Sequence, residues 1–278
     1  MVRVGFIDYF LDEWHANNYP KLLDEHSQGR YQVTLAYGKI DNPHGGMTNE
    51  AWSEEYDISL AGSIEEVINN CDVIVVLSPD NPEMHEELCQ LPLKSGKRVY
   101  IDKTFTNDAA TARRLFELAE SNNTPCWTSS ALRFATELKD FDKNRISHIH
   151  TEGPGNFDNY SIHQIEPIVS LADSKPLRVV SIGTVENPAI AVEFENGIVA
   201  DMFQCNEYSY YTNVVNKDGS VVRKKTDSDF FGNFVDALIE FFDTGVVPVP
   251  HSQTIAVMSI RAAGIKALEK PFAVVECE

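Results

Sequence analysis

Ser95-Gly96-Lys97-Arg98-Val99-Tyr100-Ile101-Asp102-Lys103-Thr104 is the stretch on which the fold turns. Val99, Tyr100 and Ile101 form an apolar, β-rich run, and Gly96 punctuates the turn before it. From Asn107 to Ser121 the chain then takes helical spacing, with Ala110, Leu115, Leu118 and Ala119 on one face. A buried strand followed by a helix is half of a βαβ unit, and ligands of open α/β sheets bind beyond the carboxyl ends of the strands. Lys103 stands at such an end. A solvated lysine is the commoner fate of this residue type, so the weight given to Lys103 comes from what surrounds it.

Upstream lies Cys71-Asp72-Val73-Ile74-Val75-Val76-Leu77-Ser78-Pro79-Asp80-Asn81-Pro82, a continuous apolar run closed by turn residues. A run apolar on both faces suits a central parallel strand. A helix is expected from His85 to Leu91. Here the chain resembles the Gfo/Idh/MocA oxidoreductase family, whose pattern is a strand, a small-Pro-Asn turn, a helix bearing His, and then Gly-Lys-x-Val-x-x-Glu-Lys-Pro. Asp102 stands for the family's Glu and Thr104 for its Pro, while Lys103 is retained. Further on, Asn159-Tyr160-Ser161-Ile162-His163-Gln164-Ile165-Glu166 is similar to the family's Asp-x-Gly-x-His-x-x-Asp helix, with His163 at the histidine.

The resemblance implies an N-terminal Rossmann-like doubly wound parallel sheet over residues 1–129 and an α+β substrate and oligomerisation domain with an open, largely antiparallel sheet over 130–278. It implies NAD or NADP as cofactor, held by Ile7, Asp8, Ser78, Pro79, Asn81, His85, Asp102 and Lys103. Lys103 and His163 become the catalytic pair lining one cleft, with Arg133, Asn159 and Tyr160 on the substrate. Such a pair suits hydride chemistry at a secondary alcohol, because the hydroxyl must lose a proton as hydride departs. Histidine titrates near neutrality, and a lysine cation steadies the developing alkoxide or takes the proton itself. Which of the two is the base stays open.

The amino terminus departs from that pattern. Val2 to Ile7 reads as a first strand, yet where a dinucleotide fold places G-x-G-x-x-G this chain has Asp8-Tyr9-Phe10-Leu11-Asp12-Glu13. Those glycines let backbone approach a pyrophosphate at a helix amino terminus, and Asp8, Asp12 and Glu13 set negative charge there instead. Acidic residues are also ordinary helix caps. His15, in Trp14-His15-Ala16, is expected to be a packing or loop-facing residue. The second strand, Tyr31 to Ala36, ends at Tyr37-Gly38-Lys39 with no carboxylate for a ribose; Lys39 could meet a 2′-phosphate or simply be solvated.

At 278 residues the chain has length for two cores, and 43% hydrophobic residues argues against disorder. Its 23 basic and 42 acidic side chains give a net charge of −19, which disfavours nucleic acid and anionic membranes. No apolar run nears the ~20 residues of a membrane span, and the cytoplasm is the expected location. Cys71, Cys89, Cys126, Cys205 and Cys277 form no CxxC pair and read as reduced thiols. His148 and His150 fall on one face of a short strand, Ile146 to Glu152, so no metal is expected.

Past a border near Ser129 to Arg133, segments Leu177–Val185, Ala189–Phe194, Ile198–Cys205 and Thr212–Val215 read as antiparallel strands, and Asp229–Phe242 and His251–Lys270 as helices. Tyr208, Tyr210 and Tyr211 would give the sheet's free face aromatic contact surface for a homodimer or homotetramer. The reading is an NAD(P)-dependent oxidoreductase acting on a sugar, cyclitol or related polyol. Its alternatives are a redox-inactive member serving as ligand sensor or regulatory binding protein, and one using transient oxidation to assist elimination or glycoside cleavage.

Overall fold

The computed structural model describes all 278 residues, Met1–Glu278. The chain folds into two units, the first comprising Met1–Thr106, Arg113–Thr128 and Val235–Pro250, the second Asn107–Ala112, Ser129–Phe234 and His251–Glu278. It thus changes unit at Thr106–Asn107, Ala112–Arg113, Thr128–Ser129, Phe234–Val235 and Pro250–His251.

The first unit is built on six strands: β1 (Val2–Asp8), β2 (Tyr31–Gly38), β3 (Ser59–Leu60), β4 (Val73–Val76), β5 (Val99–Ile101) and β6 (Cys126–Trp127). All pair in parallel, in the order β3-β2-β1-β4-β5-β6. This is the doubly wound order, in which the connections leaving β1 and β4 run to opposite sides and open a crevice at the strands' carboxyl ends. The continuous apolar runs follow from that topology: Val73 to Leu77 and Val99 to Ile101 are all buried because both faces of the sheet are covered. Between the strands run α1 (Trp14–Ser27), α2 (Asn49–Tyr56), α3 (Ile64–Asn70), the single turn α4 (His85–Leu88) and α5 (Ala109–Ser121). The expected helix from His85 to Leu91 is therefore short, breaking into a 3₁₀ turn at Pro92–Lys94. Gly5 lets α3 sit close on β1, since a Cβ there would lie 2.4 Å from Val67 Cγ1.

The stretch Val235–Pro250 joins this unit through specific partners. Asp243 accepts from Arg30 and from the Tyr31 hydroxyl (2.8 Å), and Phe242 stacks on Tyr31. It carries most of α7 (Phe230–Thr244).

The second unit holds a seven-stranded sheet of β7 (Ile146–Gly153), β8 (Pro176–Ser181), β9 (Ala189–Phe194), β10 (Val199–Gln204), β11 (Tyr211–Asn216), β12 (Val221–Lys225) and β13 (Val274–Glu276), ordered β12-β11-β7-β10-β9-β8-β13. Every pairing is antiparallel except β10 with β7, which is parallel. Alternation puts Ile149, Ala200, Met202, Val192 and Val214 on the buried face, beneath α6 (Phe157–Ala172) and α8 (His251–Leu268). The other face carries His148 and His150, both bonded to Asp201 (2.7 and 2.5 Å).

The three tyrosines expected on that free face do not act together. Tyr210 turns instead onto α6, against the His163 ring (centroids 6.0 Å), and a Cβ on Gly153 would lie 2.7 Å from it. Tyr211 lies under the Arg223 guanidinium and Tyr208 packs on Phe203.

Candidate active site

In the first unit the carboxyl ends of β1, β4 and β5 supply the chemistry. Asp102, 1% exposed, directly follows β5; its Oδ1 accepts from the Lys103 backbone N–H (2.8 Å) and the Tyr100 hydroxyl (3.2 Å), and its Oδ2 meets His15 Nδ1. Burial works against charge on Asp102, but His15 and Lys103 outweigh it and hold the carboxyl below its ordinary range. Burial likewise opposes protonation of His15, and the Asp102 charge and hydrogen bond overcome it, raising the imidazole. His15 stacks on Tyr19 (5.1 Å between centroids). It is thus a member of the charged cluster rather than the packing residue its sequence suggests, and the Asp102 partner 87 positions away is why no local signal finds it.

Lys103 is 13% exposed at the side chain, with Nζ 3.4 Å from the Pro79 carbonyl and 3.7 Å from Asp80. The turn after β4 is shaped by Ser78, which holds a left-handed φ of 86° and bonds the Asn81 carbonyl (3.2 Å). Asn81 itself turns to Glu83 (3.0 Å), and Ile7 is wholly buried in β1 with only its backbone directed along the sheet. His85 departs from its expected cofactor role: it is fully buried with Nδ1 at the Phe105 carbonyl (2.8 Å) and Nε2 at the Leu77 carbonyl (2.5 Å), and burial lowers its pKa. The ring lies between two backbone carbonyls and as a neutral imidazole donates to one of them, so His85 braces the backbone between β4 and Phe105. Lys39 pairs with Glu87 (2.5 Å), which engages the one cation that could have met a 2′-phosphate at the end of β2.

At the turn after β1, Glu13 caps α1: its two carboxylate oxygens accept from the backbone N–H of His15 (2.7 Å) and Ala16 (2.5 Å). Loss of surrounding water raises its pKa to about 7 despite the pull of His15. Asp8, 1% exposed, accepts from Tyr9 N–H (2.7 Å) through Oδ1, while Oδ2 is buried with no protein partner. Burial and then the Glu13 charge push Asp8 well up. Asp12 faces elsewhere, accepting from Asn17, Asn42 and Met47 N–H and so tying the loop after β2 to α1.

In the second unit, His163 Nδ1 lies 2.7 Å from Ser130 Oγ, and the Tyr160 and Tyr210 rings stand edge-on to the imidazole at 5.6 and 6.0 Å. Tyr160 is 42% exposed, and Asn159 lies one helical turn before His163, hence on the same face. Arg133 is not available to substrate: it is paired with buried Glu166 (2.6 Å) and with Gln253, bracing α6 against the 3₁₀ turn Ala131–Phe134. Burial pushes Glu166 up and Arg133 pulls it back. The sequence places Tyr210 on the open sheet and assigns Ser130 no role, because the relation of both to His163 is made only by packing.

Residues 26–130 match the model of the Gfo/Idh/MocA oxidoreductase family, described as an NAD-binding Rossmann fold. Over that stretch the chain is similar to the Gfo/Idh/MocA family. Over 107 residues the chain is 30% identical to an uncharacterized oxidoreductase, YhhX, of Escherichia coli (strain K12), covering 37% of this chain and 31% of that protein. The chain therefore matches about a third of the length of that curated relative. Among solved structures, a probable dehydrogenase from Thermotoga maritima superposes with TM-score 0.79 at 15% identity, covering 99% of this chain and 98% of the other. The scyllo-inositol dehydrogenase of Lactobacillus casei, solved with NAD(H) and scyllo-inositol, gives 0.75 at 14% (99% and 98%). Myo-inositol 2-dehydrogenase of Lactobacillus plantarum gives 0.74 at 14% (100% and 99%). At these identities the likeness establishes the fold.

The Gfo/Idh/MocA match implies a dinucleotide, and the donor set can be tested against one. The ends of β4 and β5 fit, offering a strained turn, backbone groups and the Lys103 cation one strand from the switch point between β1 and β4. The α1 amino terminus lacks glycine and already holds Glu13, yet buried Asp8 Oδ2 has no protein partner beside it. With its carboxyls neutral, that turn offers a hydroxyl donor and releasable N–H groups, and then it too fits. No helix of the chain is long and apolar enough to cross a membrane.

Proposed function

We propose that this chain is an NAD(P)-dependent oxidoreductase that moves hydride between a nicotinamide and a secondary alcohol of a sugar, cyclitol or related polyol. The observation that carries the reading is Lys103 at the carboxyl end of β5, its backbone fixed by buried Asp102, in a stretch that matches an NAD-binding oxidoreductase family. The bound cofactor supplies the hydride acceptor; the chain supplies proton handling and orientation. Lys103 polarises the substrate oxygen and His163, oriented by Ser130, exchanges its proton. Tyr160 and Tyr210 flank His163 with aromatic faces suited to the apolar face of a sugar or cyclitol ring, and Asn159 offers hydrogen bonds to hydroxyls. A homodimer or homotetramer in the cytoplasm completes the proposal.

The test is single-turnover reduction of NAD and NADP with a panel of inositols and aldose sugars, preceded by a search for nicotinamide absorbance in the purified protein. Reduction with any panel member supports the reading. Binding of a polyol with no nicotinamide binding at any pH would favour the second reading, a redox-inactive sensor or regulatory protein. The observation on its side is Glu13, whose carboxylate occupies the N–H groups that a pyrophosphate uses in this fold.

A further inference from the structure

The α1 amino terminus brings together three facts that no family likeness accounts for. Two of its N–H groups are already satisfied, by the two oxygens of Glu13. The turn has no glycine between Asp8 and Glu13, so backbone cannot substitute for side chains there. Buried Asp8 Oδ2, at the end of β1, has no protein partner. An anion arriving at this helix end meets a carboxylate in its place, and like charges within a few ångströms in a poorly hydrated turn oppose each other strongly.

We propose that dinucleotide binding at this turn is coupled to uptake of one proton by Glu13. Glu13 passes from carboxylate to carboxylic acid by forming one O–H bond with a proton from solvent. A neutral carboxyl is a weaker acceptor than a carboxylate, so it releases the His15 and Ala16 N–H groups to phosphate oxygens. Asp8, whose charged form is disfavoured by burial and by its neighbours, donates its Oδ2–H to the same anion. Of the charged groups facing Glu13, His15 on α1 opposes the proton and Asp102 after β5 favours it, while Asp8 at the end of β1 is itself held neutral by burial and by the Glu13 charge. Lys103 acts on the same cluster through Asp102 and His15. The midpoint of Glu13 near pH 7 places the exchange in the physiological range.

The inference rests on the oxidoreductase reading, and calorimetry separates the two. NAD is titrated into the intact protein in two buffers of different ionisation enthalpy, between about pH 6 and pH 8, a range in which its pyrophosphate does not titrate. With a midpoint near 7, linkage predicts uptake of roughly 0.9 proton at pH 8 and roughly 0.1 at pH 6, with affinity falling about tenfold between them. In Glu13→Gln the uptake disappears, the affinity becomes flat with pH, and at pH 8 it exceeds that of the parent. NAD binding to the parent without proton uptake and with pH-independent affinity overturns the proposal and leaves the oxidoreductase reading standing. Absence of NAD and NADP binding in parent and variant alike overturns both. The two-buffer measurement on the parent needs no variant, so a poorly folded Glu13→Gln does not stall the test.

Discussion

Replacing Lys103 by Met separates a chemical role from a structural one, because beyond its share in holding the Asp102 charge the ammonium makes few contacts that hold the fold. Its Nζ makes one contact of 3.4 Å with the Pro79 carbonyl, at the long end of the hydrogen-bonding range, and an ion pair of 3.7 Å with Asp80, whose side chain is 61% exposed. A pair of that kind contributes about 0–1 kcal/mol, and the released Asp80 carboxylate has water within reach. Met keeps the stem's packing, so the change in stability should be about 1 kcal/mol or less, a shift in Tm of a few degrees at most. Loss of a cation that steadies an alkoxide or relays its proton costs roughly 10²–10⁴ in rate, or about 2.7–5.5 kcal/mol of barrier at 1.36 kcal/mol per decade. The assay is stopped-flow single turnover of nicotinamide reduction with whichever polyol the parent accepts, beside a thermal melt. A variant that melts with the parent and turns over at the parent rate would refute the argument, and Lys103 would be one more surface lysine.

His163→Asn should also lower turnover by about a hundredfold, and the double variant with Lys103→Met should lose less than the product of the single losses, since on the proposed reading the two groups handle one proton. Full multiplicativity in the same stopped-flow assay would mean that they act independently. Arg133→Ala leaves the Glu166 carboxylate buried and unpaired, and should cost about 3–5 kcal/mol in urea unfolding. A loss of turnover without that loss of stability would instead return Arg133 to the substrate-binding role its sequence position suggested.

The sequence reached the parts of this molecule whose causes are local. Val73 to Leu77 and Val99 to Ile101 are apolar on both faces because helices cover both sides of the parallel sheet, and that pattern survives in one dimension. Lys103 followed from standing at the end of such a run. Short or edge elements left no such mark: α2, α3 and β3 are brief and polar, β12 (Val-Val-Arg-Lys-Lys) alternates between exposed and half-buried positions, and β13 has three residues. The parallel pairing of β10 with β7 was equally hidden, since period-2 alternation is the same in either direction. The site residues that changed role did so through partners distant in sequence. His85 is claimed by the Phe105 carbonyl 20 residues on, Arg133 by Glu166 33 residues on, and Tyr210 by α6 rather than the open sheet face.

Asp102 is where these long-range relations concentrate, and its charge can be tested apart from its shape. Asp102→Asn preserves volume and one acceptor oxygen but removes the charge that raises His15. The signs fix a pH window. His15 is raised above its ordinary 6.5, so its contribution to stability is full below about pH 6.5 and is lost as pH rises through the folded value. Asp102 is lowered below 3.8, so its contribution is present above about pH 4 and is lost as pH falls through the folded value. The pair therefore contributes most between about pH 4 and pH 6.5, and the stability deficit of the variant should be largest there, roughly 2–3 kcal/mol given the retained oxygen. It should shrink toward alkaline pH, where His15 in the parent has already given up its proton. Urea unfolding at pH 5.5 and at pH 9 measures the difference. An equal deficit at both would mean that Asp102 matters as the acceptor for Tyr100 and the Lys103 backbone and that the charge on His15 plays no part in the fold.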